Sequence, residues 1–287
     1  MTVDVEDWYM TNGLDIPPER WGLFEDRVVQ STGKVLELLD RHRTKATFFV
    51  LGCVAQRHPG LVERIAEGGH EIGTHGGWHR MLTRMTPEEI AGDILESKRV
   101  LERISGLPVR LFRAPSWSMN PRTYSVLQML ERAGFLCDSS IQPFRTPLSG
   151  LDDAPSRPFH PIVEGERLNL VEFPSMVWEG FGARIPFSGG FYLRAMPYGI
   201  VRALMRSVNR SSPGMVYVHP WEFDPSHPRV KASPLIRLAQ YYNLTATESK
   251  FERLLRDFAF APLGEILKGR SFPDATLRTA DRPSGSP

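Results

Sequence analysis

Short apolar runs of strand type alternate with helix-type periodicity along most of the chain. Residues 1–5 form a β-rich run that ends in a burst of carboxylates. Between residues 25 and 39, Val28, Val29, Val35, Leu36, Leu38 and Leu39 recur at helical spacing, and residues 45–52 follow as a continuous apolar strand. Residues 61–66 present a helical face and residues 71–74 a strand. Thr86-Pro87-Glu88-Glu89 then predicts a helix start, with a capping threonine, a proline at the first position and a capping-box glutamate. This helix should run to about Ile104 and stop near Gly106, delivering a strand over 109–113. A helix over 121–134 and a strand over 135–140 come next. Residues 141–168, rich in proline and charge, lack a period and predict a long loop over one face. Order returns at 170–174, followed by a helix over 197–209, a last core strand over 215–219 and a helix over 246–258.

Six or seven strand-then-helix units without a break in composition predict one parallel α/β domain. No G-x-G-x-x-G opens a helix after the first strand, which disfavours a dinucleotide fold. Polar residues gather where the strands end: Asp4, Glu6 and Asp7, then Thr74 and His75, then Arg113, then Asp138, then His219. In β/α barrels that face carries the active site.

Composition narrows the function classes. A chain of 287 residues, 41% hydrophobic, can bury a full core, and a formal charge of +2 indicates neither nucleic acid nor an anionic membrane as partner. Cys53 and Cys137 are far apart, which predicts reduced, buried thiols. No basic region followed by an apolar one opens the chain and no run reaches the length of a membrane span, so a cytoplasmic location without a transmembrane segment is expected.

His75 and His79 are four residues apart around Gly76 and Gly77, and can turn both imidazoles toward one metal ion. A carboxylate must complete the set. Strand alternation puts Asp4 and Glu6 on one face, so Glu6 is the favoured ligand and Asp7 the alternative. Two His and one carboxylate leave a position for water, whose proton Asp4 could take. Attack on an amide then needs an acid for the leaving nitrogen, and His219 is the candidate, with Asp138 to orient its ring. Arg113 could pair with Asp4, and backbone N–H groups after Pro115 could donate to an oxyanion.

Together these motifs resemble the polysaccharide deacetylase family, the NodB-homology group similar to carbohydrate esterase family 4. The resemblance is strongest to the branch associated with exopolysaccharide synthesis and the exosortase (PEP-CTERM) system. Thr2-Val3-Asp4-Val5-Glu6-Asp7 stands where the family has Thr-Phe-Asp-Asp-Gly, and Thr74-His75-Gly76-Gly77-Trp78-His79 matches its two-histidine metal motif. Arg113-Ala114-Pro115-Ser116-Trp117-Ser118, Asp138-Ser139-Ser140 and Val218-His219-Pro220-Trp221-Glu222 match the remaining motifs. Ser188-Gly189-Gly190-Phe191-Tyr192 and residues 232–263 look like features of the exopolysaccharide branch. The first motif departs from the family pattern, because Val5 separates Asp4 from the next carboxylate.

The resemblance implies a distorted (β/α)7 barrel over residues 1–230, a C-terminal helical extension over 231–270 and a disordered tail over 271–287. It implies a divalent metal, zinc first with cobalt or nickel as alternatives, and an N-acetylated polysaccharide or oligosaccharide as substrate. Pro115, Ser116, Trp117 and Trp221 would line the substrate groove. Hydrolysis of a small amide or ureide, and a non-catalytic carbohydrate-binding scaffold, stay open as rival readings.

Overall fold

Strands that are apolar along their whole length need cover on both faces, and in a curled parallel sheet helices cover the outer face while the inner face packs on itself. The computed structural model describes residues 1–280. Strands β1 (Thr2–Val5), β2 (Thr47–Val50), β3 (Glu71–Thr74), β4 (Leu111–Phe112) and β5 (Cys137–Asp138) are separated by helices α1 (Val28–Arg41), α2 (Gly52–Arg57), α3 (Pro59–Glu67), α4 (Pro87–Ser105) and α5 (Ser125–Arg132). Strands β6 (His160–Val163), β7 (Glu166–Arg167), β8 (Val171–Glu172), the hairpin β9 (Val177–Gly180) and β10 (Ala183–Pro186), and β11 (Tyr217–Val218) follow. Helices α6 (Gly190–Ala195) and α7 (Tyr198–Val208) precede β11, and α8 (Pro234–Tyr241), α9 (Thr247–Asp257), α10 (Leu263–Leu267) and β12 (Asp274–Leu277) come after it.

Seven strands form one all-parallel sheet in the order β11-β1-β2-β3-β4-β5-β8. The sheet is curled into a distorted (β/α)7 half-barrel. A flat sheet would hold β1 and β4 roughly 14 Å apart, three steps of about 4.8 Å. Instead Arg113, just past β4, reaches Asp4 on β1 at 2.5 Å and Met215, just before β11, at 2.9 Å. Alternation along β2 fits the same picture: Phe48 and Val50 pack outward in the helix-covered core, while Phe49 packs inward with Leu111, Trp117, Cys137, Phe173, Met215 and Tyr217.

The helix expected at Thr86 starts there, with Glu89 N–H donating to Thr86 Oγ1 at 3.3 Å and Thr86 N–H to Glu89 Oε2 at 2.8 Å, and stops at Gly106 with φ +67°. Val29, counted with the apolar face of the first helix, is instead 41% exposed. The stretch read as a loop over 141–168 holds β6 and β7, whose partners are distant or very short: β6 pairs in parallel with β12 and antiparallel with the two-residue β7. That pairing also corrects the expected tail. Residues 274–277 are a strand with Leu277 buried, and residues 281–287 lie outside the described residues.

Residues from the C-terminal half close the barrel at both ends. Leu263 N–H donates to Thr47 Oγ1 and Gly264 N–H to Glu71 Oε2, which caps the end where the strands begin. Near the strand C-terminal ends, Gln240 of α8 donates to the Trp8 carbonyl. Cys53 and Cys137 are buried and free. Among the described residues, no helix is long and apolar enough to cross a membrane.

Candidate metal centre and catalytic pocket

Because the strands are parallel, every strand delivers its last residue to the same end of the barrel. There the structure brings Glu6, His75 and His79 together, with one ligand atom from each within 4.8 Å of the others. All three are buried. The turn that carries the histidines is tight. Gly76 has φ +79°, and a Cβ there would lie 2.8 Å from Asp93 Oδ2, the carboxylate of α4 that accepts the Gly77 N–H at 2.6 Å. His75 Nδ1 faces the Arg113 carbonyl at 2.8 Å, so it carries the proton and leaves Nε2 as the ligand atom. His79, at φ +52°, places Nε2 2.5 Å from Glu6 Oε2, and its Nδ1 faces Asn12 at 3.1 Å.

Two nitrogen donors and one carboxylate oxygen are a donor set for zinc or a similar divalent ion with room for water, and the residues present fit such an ion. Glu6 Oε2 is a buried oxygen with no hydrogen-bond donor beyond the His79 imidazole, whereas Oε1 accepts from Trp221 Nε1 at 3.0 Å. Burial works against the Glu6 charge, but the charge and hydrogen bond of His79, with His219 and His75 behind them, bring its pKa down to about 2. Burial lowers the His75 pKa to about 4, which favours the neutral imidazole that binds metals.

Asp7 points away. Its oxygens accept the backbone N–H groups of Trp8, Arg27 and Val28 at 2.8, 2.7 and 2.9 Å, tying this loop to the start of α1. Asp4, on β1, and Glu6, just past its end, line the pocket together. Asp4 Oδ1 accepts from Arg113 Nη1 at 2.5 Å. Arg113 is 1% exposed and fully engaged: it also donates to Thr2 Oγ1, the Ser139 carbonyl and Ser139 Oγ, and its guanidinium lies 4.2 Å from the Phe49 ring and 4.5 Å from Trp117.

His219 Nε2 lies 3.9 Å from both Asp4 Oδ2 and Glu6 Oε1, and its ring stacks on Trp221 at 5.3 Å. The carboxylate on its other nitrogen is Glu222, not Asp138 as expected, with Oε2 3.2 Å from Nδ1 and Oε1 accepting from buried Arg194 at 2.8 Å. Burial disfavours the charged ring, yet the Glu222 hydrogen bond and the charges of Glu6, Glu222 and Asp4 raise its pKa to about 9. A glutamate three residues after the histidine, across Pro220, is the capping pattern that could have revealed this partner. Arg194 and Asn12 had no comparable sequence signal.

Asp138 serves a neighbouring loop. It accepts from Ser140 Oγ at 2.5 Å, and Ser140 Oγ accepts in turn from Ala114 N–H at 2.8 Å, which fixes the segment leading to Pro115. Facing Asp138 is Glu172, whose Oε1 accepts the N–H groups of Ser140 and Ile141. Burial first, and the charge of Asp138 second, push Glu172 well above the usual carboxylate range, so it keeps its proton. An acid with a raised folded pKa binds more protons folded than unfolded, so its contribution to stability is lost as pH rises above the ordinary carboxylate range. Wild-type protein should therefore lose stability through this pair as pH rises above the ordinary glutamate value of 4.5, and E172Q should flatten that fall in urea unfolding curves. An unchanged slope in E172Q would place the proton elsewhere.

Ser116, Trp117, Tyr217 and Trp221 line a pocket of about 220 Å³ with the metal-site residues, and Leu148, Phe191, Ile236 and Gln240 line it too. Pro115 is buried but does not line it. Ser116 and Trp117 both adopt left-handed backbone, at φ +54° and +53°. The N–H groups of Trp117 and Ser118 are occupied by the carbonyls of Ala114 and Pro115, which leaves the Ser116 N–H as the one of the three without an acceptor among the described residues.

Residues 19–135 match the family model described as polysaccharide deacetylase, and residues 139–268 match a domain of unknown function, DUF3473. A peptidoglycan-N-acetylglucosamine deacetylase of Bacillus cereus is 37% identical over 87 residues, 30% of this chain and 32% of that protein. A chitooligosaccharide deacetylase of a Bradyrhizobium species is 37% identical over 86 residues, 29% of this chain and 39% of that protein. The chain thus spans about a third of the length of these curated relatives. In fold, it is similar to a solved candidate polysaccharide deacetylase from Mycobacterium smegmatis, with a TM-score of 0.61, 21% identity and coverage of 98% of this chain and 92% of that one. Residues 19–135 are therefore similar to the polysaccharide deacetylase family, and the match to DUF3473 follows over residues 139–268.

Proposed function

We propose that the chain is a metal-dependent hydrolase that removes N-acetyl groups from the sugars of a polysaccharide, and that it serves exopolysaccharide production. One observation carries the chemistry: Asp4 on Arg113, His219 on Glu222, and the set of Glu6, His75 and His79 converge on one pocket. A divalent ion held by Glu6, His75 and His79, with zinc preferred over cobalt or nickel, would polarise the acetyl carbonyl and acidify a water molecule. Asp4 takes the proton of the attacking water. His219, protonated and aimed by Glu222, gives a proton to the departing sugar nitrogen, and the Ser116 N–H donates to the oxygen on which negative charge develops. Trp117 and Trp221 would bound the sugar.

The shape of the site supports a glycan over a small amide. The catalytic pocket adjoins a second cavity of about 440 Å³, and Thr11, Asn12 and His79 line both. A single ring would leave most of that cleft empty. The role in exopolysaccharide production rests on the likeness of Ser188–Tyr192 and residues 232–263 to that branch, and on Phe191, Ile236 and Gln240 from those segments lining the pocket. The test is acetate release from an N-acetylglucosamine tetramer. Activity should disappear with chelator and return with zinc; chelator-resistant release, or none with zinc supplied, would count against the proposal.

A further inference from the structure

The catalytic groups leave the wider part of the cleft unused. Beyond His79 the cavity is walled by Trp21, Trp78, Arg80 and Arg84. Trp78 is 46% exposed and lies against Trp21, with ring centroids 6.3 Å apart and planes 30° from parallel. An indole propped up in this way offers a flat apolar face to solvent at the edge of the metal site. The two arginines line the same cavity, and among the described residues each side chain pairs with an exposed carboxylate alone: Arg80 with Glu89 at 3.1 Å and Arg84 with Asp15 at 3.5 Å. Water screens exposed pairs of this kind and they hold weakly, so a ligand anion can displace them. Asp15 is the single carboxylate lining the cavity, against two arginines.

We infer that this cavity is a subsite for an acidic sugar, adjacent along the glycan to the N-acetylated unit, with its ring on Trp78 and its carboxylate held by Arg80 and Arg84. The inference rests on the deacetylase reading and deepens it, from N-acetylated glycans in general to glycans that also carry carboxylates. A pyranose presents C–H groups that pack on an aromatic face, and a guanidinium matches a carboxylate with two parallel hydrogen bonds. Both features are needed on one wall to select an acidic sugar over a neutral sugar or a free anion.

Chitotetraose, and chitotetraose oxidised at C6 to carboxylates, share their linkage and acetyl groups and differ in charge. Wild-type protein should show kcat/KM on the order of tenfold higher for the acidic oligosaccharide at low salt, with the gap narrowing as salt is added. In R80Q/R84Q protein the ratio should fall to near one. Equal kcat/KM for the two substrates in wild type, or a full preference kept by R80Q/R84Q, overturns the subsite. If neither substrate releases acetate, the deacetylase reading has failed on its own. Calorimetric titration of both oligosaccharides then decides the subsite separately: tighter binding of the acidic one that R80Q/R84Q loses supports it, and equal affinities in wild type overturn it.

Discussion

D4N protein is expected to bind metal as wild type does and to release acetate roughly 10²–10⁴-fold more slowly, the range for losing a positioned base. The expectation follows from geometry. Asp4 is outside the set of Glu6, His75 and His79, yet it lines the same pocket and has its second oxygen 3.9 Å from His219. Asparagine fills the same space and can still face Arg113, but it cannot accept a proton from water. A steady-state rate close to wild type in metal-loaded D4N would remove Asp4 from the chemistry. A loss of metal together with the rate would make it part of the binding set.

Arg113 carries the largest expected effect on stability. R113M leaves the Asp4 carboxylate buried without its counter-charge, and breaking a buried pair from one side costs about 3–5 kcal/mol. Asp4 is 2% exposed and Arg113 1%, so water cannot take over for either. R113M should also lose the stacking of the guanidinium on Phe49 and Trp117. Urea unfolding of R113M, D4N and D4N/R113M checks the assignment. The double variant should be more stable than the sum of the single losses allows, because removing both charges leaves neither stranded. Strict additivity would mean that the pair contributes little as a pair.

The parts of the site that were legible in the sequence are those governed by local geometry. Extended alternation from Asp4 predicts Glu6 on its face and Asp7 off it, and although β1 ends at Val5 the structure gathers Glu6 with the histidines while Asp7 holds the start of α1. The capping box at Thr86 and the stop at Gly106 likewise need only a few neighbouring residues. What stayed hidden depends on partners far away in sequence. β6 contains Pro161 and pairs with residues 114 positions later, so no local period marks it. Asp138 ends β5 and His219 follows β11, but these strands are five positions apart in the sheet order, and Glu222 already occupies the ring nitrogen from within the same turn. Arg194 reaches that glutamate from α6, a contact visible only once the chain has folded.

Metal stoichiometry tests the proposed centre most directly. Elemental analysis of wild-type protein, equilibrated with zinc and dialysed, should find one equivalent, and H75A/H79A protein, which keeps Glu6 alone of the three ligands, should retain none. Wild-type protein that holds no metal, or one equivalent kept by H75A/H79A, would contradict a centre built on Glu6, His75 and His79.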